Sequence, residues 1–212
     1  MNNAKRLEIV RRLAALRPNP KSELDWRNPF ELLIAVMLSA QTTDKKVNAV
    51  TPALFAVAPT PEAMAAKRPE DIEPIISSLG LFRNKAKNVC ATAAALVERH
   101  HCQVPQTFEE LTALPGVGEK TAKVVLNVAF GQPWMAVDTH IFRVSNRTGL
   151  ACGKTPSIVG AKLEKLLPKD LLVDGHHWIL LHGRYCCTAQ KPHCSECPIA
   201  DLCEWKDKPT VD

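Results

Sequence analysis

Apolar residues along this chain recur at intervals of three and four, and no sustained stretch alternates with a period of two. The sequence therefore predicts helices almost everywhere and an all-α fold. Leu7, Val10 and Leu13 mark an amphipathic helix near the N-terminus. Asn28-Pro29-Phe30-Glu31 then supplies an N-cap, a proline at the first helical position and a capping-box glutamate, for a helix running through Leu38. Leu32, Leu33, Ala35, Val36 and Met37 make that helix apolar nearly all round, as expected at the centre of a domain. Ala86, Val89, Cys90 and Ala93 form a further stripe in which Cys90 serves as a small buried hydrophobe. Thr60-Pro61 and Thr155-Pro156 repeat the cap-then-proline start, and Gly80 reads as a helix stop. Sixteen prolines and these caps divide the chain into short helices, with no internal repeat or low-complexity tract.

One stretch carries more than periodicity. Leu114-Pro115-Gly116-Val117-Gly118-Glu119-Lys120-Thr121-Ala122 places two glycines around one small apolar residue. Glycines permit positive φ angles and leave no Cβ between backbone N–H groups and an incoming anion. Ala122, Val125, Leu126 and Ala129 follow at helical spacing, and the helix N-terminus adds unpaired donors and a partial positive charge. Thr107 with Glu110 caps a short preceding helix ending near Leu114. The unit resembles the helix-hairpin-helix DNA-binding motif, with Gly116, Gly118 and Thr121 as its phosphate contacts. In hairpins that only hold DNA, a lysine at position 120 is one more such contact.

Gly131 and Pro133 end the helix after the hairpin, and Val137-Asp138-Thr139-His140 follows, with Asp138 eighteen residues beyond Lys120. Asp138 precedes the periodic residues Ile141, Val144 and Ser145, where its plain role is an N-cap. Residues 114–149 together resemble the endonuclease III family of DNA glycosylases with lyase activity. The resemblance implies that Lys120 is the nucleophile and that Asp138 assists it. His140 is marked as a DNA contact because it neighbours Asp138.

The chemistry needs both residue types. A free lysine has a pKa of about 10.4 and is almost wholly protonated at neutral pH. Partial burial and the positive end of a helix would favour the free amine, which attacks C1′ of a damaged nucleotide. Displacement of the base leaves an iminium, and loss of a 2′ proton then eliminates the 3′ phosphate. A carboxylate stabilises the cationic sugar or manages the proton leaving the amine. The sequence leaves open which of these Asp138 does.

Near the C-terminus, Cys187, Cys194, Cys197 and Cys203 are separated by six, two and five residues. Four thiols so close together, with no secretory signal, read as a metal site rather than disulfides. Spacing alone leaves zinc and a [4Fe–4S] cluster open. The resemblance to endonuclease III implies the [4Fe–4S] cluster on these four cysteines, with Cys187 rather than the adjacent Cys186 in register. Cys102, Cys152 and Cys186 receive no role, and the seven histidines show no metal-ligand spacing. His176, His177 and His182 read as packing or hydrogen-bonding residues.

The same resemblance spans nearly the whole chain. It implies a two-lobed helix-hairpin-helix glycosylase fold with a C-terminal cluster loop. One lobe would cover residues 22–132; residues 1–21 plus 133–212 would join the N-terminal helix to the cluster. DNA would lie in the groove between the lobes, with Lys120 and Asp138 facing across it. Gln41, in Ser39-Ala40-Gln41-Thr42-Thr43-Asp44, and Leu81, in Gly80-Leu81-Phe82-Arg83-Asn84-Lys85, match segments that fill the stack when a base is flipped. Their plain readings are a polar residue at a helix C-terminus and a core leucine. Lys191 reads as a solvated lysine or a phosphate contact.

A net charge of +5 and a pI near 8.8 suit a polyanionic partner, though equally an ordinary basic enzyme. The N-terminus lacks the apolar stretch of a signal peptide, and no run approaches the ~20 residues of a membrane span. The expectation is an intracellular monomer of the cytoplasm and nucleoid, acting on double-stranded DNA with oxidised pyrimidines or abasic sites. An adenine glycosylase of the same superfamily is the first alternative. It generally lacks the lysine and carries a further C-terminal domain, so Lys120 and the chain's end at Asp212 count against it. A non-enzymatic DNA-binding protein with a structural metal is the second.

Overall fold

A computed structural model of the chain describes residues 1–208, which form eleven helices and no strand. Two compact units account for them: residues 22–130, and residues 1–21 with those from Gly131 onward. The division falls at Gly131, slightly before the boundary at residue 132 expected from sequence. Gly131 has φ +63° and ends the preceding helix there.

The unit of residues 22–130 is built around α2 (Pro29–Leu38), every residue of which from Phe30 to Leu38 is buried. It packs on α3 (Asp44–Val57), α6 (Phe82–Arg99) and α8 (Glu119–Phe130). The short helices α4 (Pro61–Ala65) and α5 (Pro69–Ile76) cover α6, and α7 (Phe108–Thr112) leads into the hairpin before α8. Asn28 caps α2 as expected, its Oδ1 accepting the Glu31 N–H at 3.0 Å. Glu31 departs from the capping-box expectation. Its carboxylate accepts the Arg27 backbone N–H at 2.9 Å and Arg27 Nη2 at 2.6 Å, which satisfies a charge only 2% exposed. The stripe Ala86, Val89, Cys90 and Ala93 is buried throughout. Gly80, read as a helix stop, does not take up the left-handed conformation; Leu81 does, at φ +58°, as the N-cap of α6.

In the other unit, α1 (Asn3–Leu16) packs on α11 (Lys169–Tyr185), which also holds α9 (Thr139–Thr148) and α10 (Pro156–Leu166). Ile9, Val10 and Leu13 of α1 share one core with Ile141, Val144, Val159, Leu163, Trp178 and Ile179. Full burial of each such side chain contributes about 1.5–3 kcal/mol. Polar groups fix the register: Trp178 Nε1 donates to the Arg17 carbonyl at 2.8 Å, and Arg6 Nε to that of Leu150 at 2.9 Å. Arg12 Nη1 reaches Asp201 Oδ1 at 2.7 Å, so the N-terminal helix is tied to the last described segment. Among the described residues no helix is long and apolar enough to cross a membrane.

Candidate nucleic-acid interface and metal centre

The hairpin forms from a conformation and a close approach that only glycine supplies. Gly116 sits at φ +74°, and a Cβ there would lie 2.6 Å from the side chain of Asn88. The Val117 N–H closes the turn onto the Leu114 carbonyl at 3.2 Å, and the Thr92 hydroxyl donates to the Pro115 carbonyl, tying the turn to α6. Gly118 corrects the sequence expectation, since its φ is not positive. A Cβ at Gly118 would meet nothing within 4 Å, so the backbone there is open to an approaching group. Thr107 caps α7 by accepting the Glu110 N–H at 3.3 Å.

Lys120 is exposed in the first turn of α8, on the side away from the buried Ala122, Val125 and Leu126. The partial burial expected of it is therefore absent. Thr121 beside it is half-buried. Asp138 is the N-cap of α9, half-buried, with Oδ1 accepting the Ile141 N–H at 2.8 Å. His140 is half-buried, and its Nδ1 lies 3.2 Å from Arg143 Nη2.

Gln41 and Leu81 both occupy left-handed backbone, at φ +54° and +58°, and both are exposed. The plain reading of Leu81 as a core leucine is thereby overturned: the residue is 58% exposed. Gln41 lies beyond the end of α2, at the third position of a turn closed by the Thr42 N–H on the Ser39 carbonyl at 3.0 Å.

The C-terminal cysteines converge on one pocket. Cys187, Cys194, Cys197 and Cys203 line it, together with Cys186, His182 and the apolar Ile199 and Trp205. Burial pushes the Cys194 and Cys203 thiols up. Cys197 is held well below the usual thiol range, first by a hydrogen bond from Cys186 and, against burial, by another from His182. Among the described residues, the possible ligand atoms of His182, Cys186 and Cys197 all lie within 4.8 Å of one another. Sequence reasoning gave His182 no part in this pocket and set Cys186 aside in favour of Cys187. Neither has a motif of its own; α11 places His182 one turn before Cys186, and the chain then folds back to bring Cys197 to both.

Two arginines were also missed. Arg143 Nε donates to the Cys187 carbonyl at 2.9 Å and its Nη2 to Gly183 at 2.7 Å. Arg147 donates to the carbonyls of Thr188 at 2.6 Å and Ala189 at 2.8 Å, and its guanidinium stacks 4.3 Å from the centre of the Trp205 ring. Positions 143 and 147 share a helix face one turn apart, which is legible, but their backbone acceptors lie about forty positions away and are not. Lys191 is exposed, and its carbonyl accepts the Thr188 hydroxyl at 2.6 Å.

The hairpin between α7 and α8 lies within a segment whose family match assigns the chain to a class of DNA-repair proteins. Residues 34–169 match the family described as HhH-GPD superfamily base excision DNA repair protein. Residues 187–203, which begin and end on cysteines, match the iron-sulfur binding domain of endonuclease III. The chain is 54% identical over 208 residues to endonuclease III of Escherichia coli strain K12, covering 98% of this chain and 99% of the relative. Endonuclease III of Haemophilus influenzae is 53% identical with the same coverage. The fold matches the solved structure of a trapped endonuclease III–DNA covalent intermediate with a TM-score of 0.91 and 44% identity, covering 96% of each chain. This chain belongs to the endonuclease III family. It is thus a DNA-binding enzyme of base excision repair, a DNA glycosylase with AP lyase activity, and its cofactor is a [4Fe–4S] cluster. The thiols that converge on the C-terminal pocket are the donor chemistry such a cluster takes.

Proposed function

We propose that this enzyme removes oxidised pyrimidines from double-stranded DNA and cleaves abasic sites by β-elimination, with Lys120 as its nucleophile. The observation that carries the reading is the exposed amine of Lys120 in the first turn of α8, directly after a glycine hairpin with open backbone at Gly118. A phosphate seated on the hairpin and the helix N-terminus, against Gly116, Gly118 and Thr121, would hold the sugar within reach of that amine.

The Lys120 nitrogen donates its lone pair to C1′, and the base leaves with the electrons of the glycosidic bond. One proton then passes from the nitrogen to the ring oxygen as the C1′–O4′ bond breaks, which opens the ring and leaves a protonated imine with one hydrogen still on nitrogen. Removal of a 2′ proton then expels the 3′ phosphate, and hydrolysis frees the lysine. Asp138 stabilises positive charge on the sugar as the base departs, or accepts the proton from the amine. Gln41 and Leu81 enter the space left by the flipped nucleotide, which offsets part of the cost of unstacking. His140 and Lys191 contact the DNA backbone.

Cys187, Cys194, Cys197 and Cys203 would hold the cluster, which orders a segment with little core of its own. The span of the iron-sulfur family match, from Cys187 to Cys203, supports this register. The enzyme acts as a monomer within the cell, at the nucleoid.

Borohydride reduction during reaction tests the central claim. Duplex DNA with one oxidised pyrimidine should become covalently joined to the protein, and the undamaged duplex should not. Strand cleavage without any trapped adduct would exclude the lysine-imine route.

A further inference from the structure

Gln41 and Leu81 are forty residues apart in sequence, yet one residue, Lys85, bonds to the segments that carry both. Lys85 Nζ donates to Thr42 Oγ1 at 2.6 Å. The Lys85 N–H closes the first turn of α6 on the Leu81 carbonyl at 3.0 Å. The same Thr42 hydroxyl donates to the Ala40 carbonyl at 3.4 Å, so it spans Gln41 from one side to the other. A single amine is thus anchored one turn from one left-handed residue and bonded next to the other.

Lys85 is unusual among its neighbours. Arg83 and Lys87 are exposed, as basic residues at the start of a solvated helix should be, whereas Lys85 is only 6% exposed. Burial lowers its pKa, so the site disfavours the charged amine. Filling space needs no such group: methionine would pack there without desolvating an ammonium. What lysine adds is a donor long enough to reach a hydroxyl 43 residues away. Non-glycine residues at positive φ persist where their surroundings hold them, and both of these present exposed side chains.

We infer that Lys85 is a positioning residue for base extrusion: through Thr42 it fixes the turn bearing Gln41 to the helix start bearing Leu81, and so sets the spacing of the two side chains that enter the duplex. The inference rests on the reading of Gln41 and Leu81 given above. Two fillers must occupy one vacated stack together, and a displacement of about 1 Å costs up to a hundredfold in rate. A bolt between their loops keeps that spacing while each tip remains free to meet DNA.

The test uses the full-length, cluster-loaded protein. Lys85→Met removes the donor with little change of volume, Thr42→Val removes the acceptor, and Thr42→Ser restores it. Leu81→Ala and Gln41→Ala report on the fillers themselves. Extrusion is read from 2-aminopurine fluorescence beside the lesion, and turnover from the ratio of abasic-site cleavage in duplex to that in single-stranded DNA, where no stack is opened. Lys85→Met and Thr42→Val should each lower that ratio about tenfold or more, with kcat falling and KM little changed. The double variant should be no worse than either single one, as for two halves of one bond. Thr42→Ser should stay near wild type. If Lys85→Met does not fold, the Thr42 pair decides the question alone. Loss of extrusion in Leu81→Ala without any loss in Thr42→Val and Lys85→Met overturns the positioning role only. Unchanged extrusion in both Leu81→Ala and Gln41→Ala overturns the filler reading, and this inference with it. Equal loss on duplex and single strands also overturns it, since that is general damage to the fold.

Discussion

The Asp138 carboxylate accepts the backbone N–H of Ile141 at 2.8 Å, so a residue proposed to act on the sugar is also the N-cap of α9. The two roles use different properties of the side chain. A cap needs an acceptor oxygen; stabilising a cationic sugar or taking a proton needs the charge.

Asparagine separates them. Asp138→Asn keeps an oxygen for the Ile141 N–H and should leave thermal stability nearly unchanged, because Asn and Asp rank alike as N-caps. Base release under single-turnover conditions should slow by about 10²-fold or more. Asp138→Ala should lose activity and also about 1 kcal/mol of stability, measured by denaturant unfolding. Unaltered base release in Asp138→Asn would leave the residue as a cap alone.

Lys120→Gln should abolish strand cleavage at abasic sites while specific binding to the same DNA remains measurable. Lys120 is exposed and makes no contact on which the hairpin relies; the turn is held by Gly116, Leu114 and the Thr92 bond to Pro115. A gel-shift titration beside a cleavage assay checks the split. Cleavage at the wild-type rate would remove Lys120 from the chemistry.

The hairpin before α8 and the cap at Asp138 were legible because their signals are local. A glycine pair before an apolar helix, and an aspartate before another, sit within a few positions of the structure they create. Caps at Asn28, Thr60, Thr107 and Thr155 were legible for the same reason, each bonding three residues ahead. Contacts made across the sequence were not. Lys85 stands between Arg83 and Lys87 with nothing in the spacing to set it apart, and only the packing of α6 buries it against Thr42. For Leu81 the plain alternative, a core leucine, fails: the residue sits in left-handed backbone at φ +58° and is exposed. His182 and the pair Arg143 and Arg147 meet the cysteine loop only after α9 and α11 pack together.

Stability in mild acid should depend on His177. The residue is 9% exposed on α11, and burial lowers its pKa, with Asp174 opposing part of that effect. The unfolded chain therefore takes up a proton near the ordinary imidazole pKa of about 6.5, where the folded protein does not. More protons bound when unfolded means that stability falls as pH drops below about 6.5 and levels off once the folded imidazole also titrates. Urea unfolding across this range should show a shallower slope in His177→Gln than in wild type. An identical slope would assign the acid sensitivity to other groups.

Serine substitutions test the register of the cluster ligands. Cys186 and Cys187 both line the pocket, and Cys186 is the one grouped with Cys197 and His182, whereas the family match begins at Cys187. Both backbones are held. The Cys187 N–H donates to the His182 carbonyl at 2.8 Å, and its own carbonyl accepts Arg143 Nε at 2.9 Å. The Cys186 N–H donates to the same His182 carbonyl at 2.9 Å, and its carbonyl accepts the N–H groups of Thr188 and His193. Arg147 Nη1 also lies 3.7 Å from Cys187 Sγ, a donor aimed at a sulfur that would carry negative charge as a ligand. Wild-type protein should contain about four irons per chain. Serine at Cys187, Cys194, Cys197 or Cys203 should lower both iron content and folded yield. Serine at Cys186, or at Cys90, Cys102 or Cys152, should leave iron content intact. Iron analysis and the visible absorbance of the purified variants provide the check, and loss of iron from Cys186→Ser with retention in Cys187→Ser would move the first ligand by one residue.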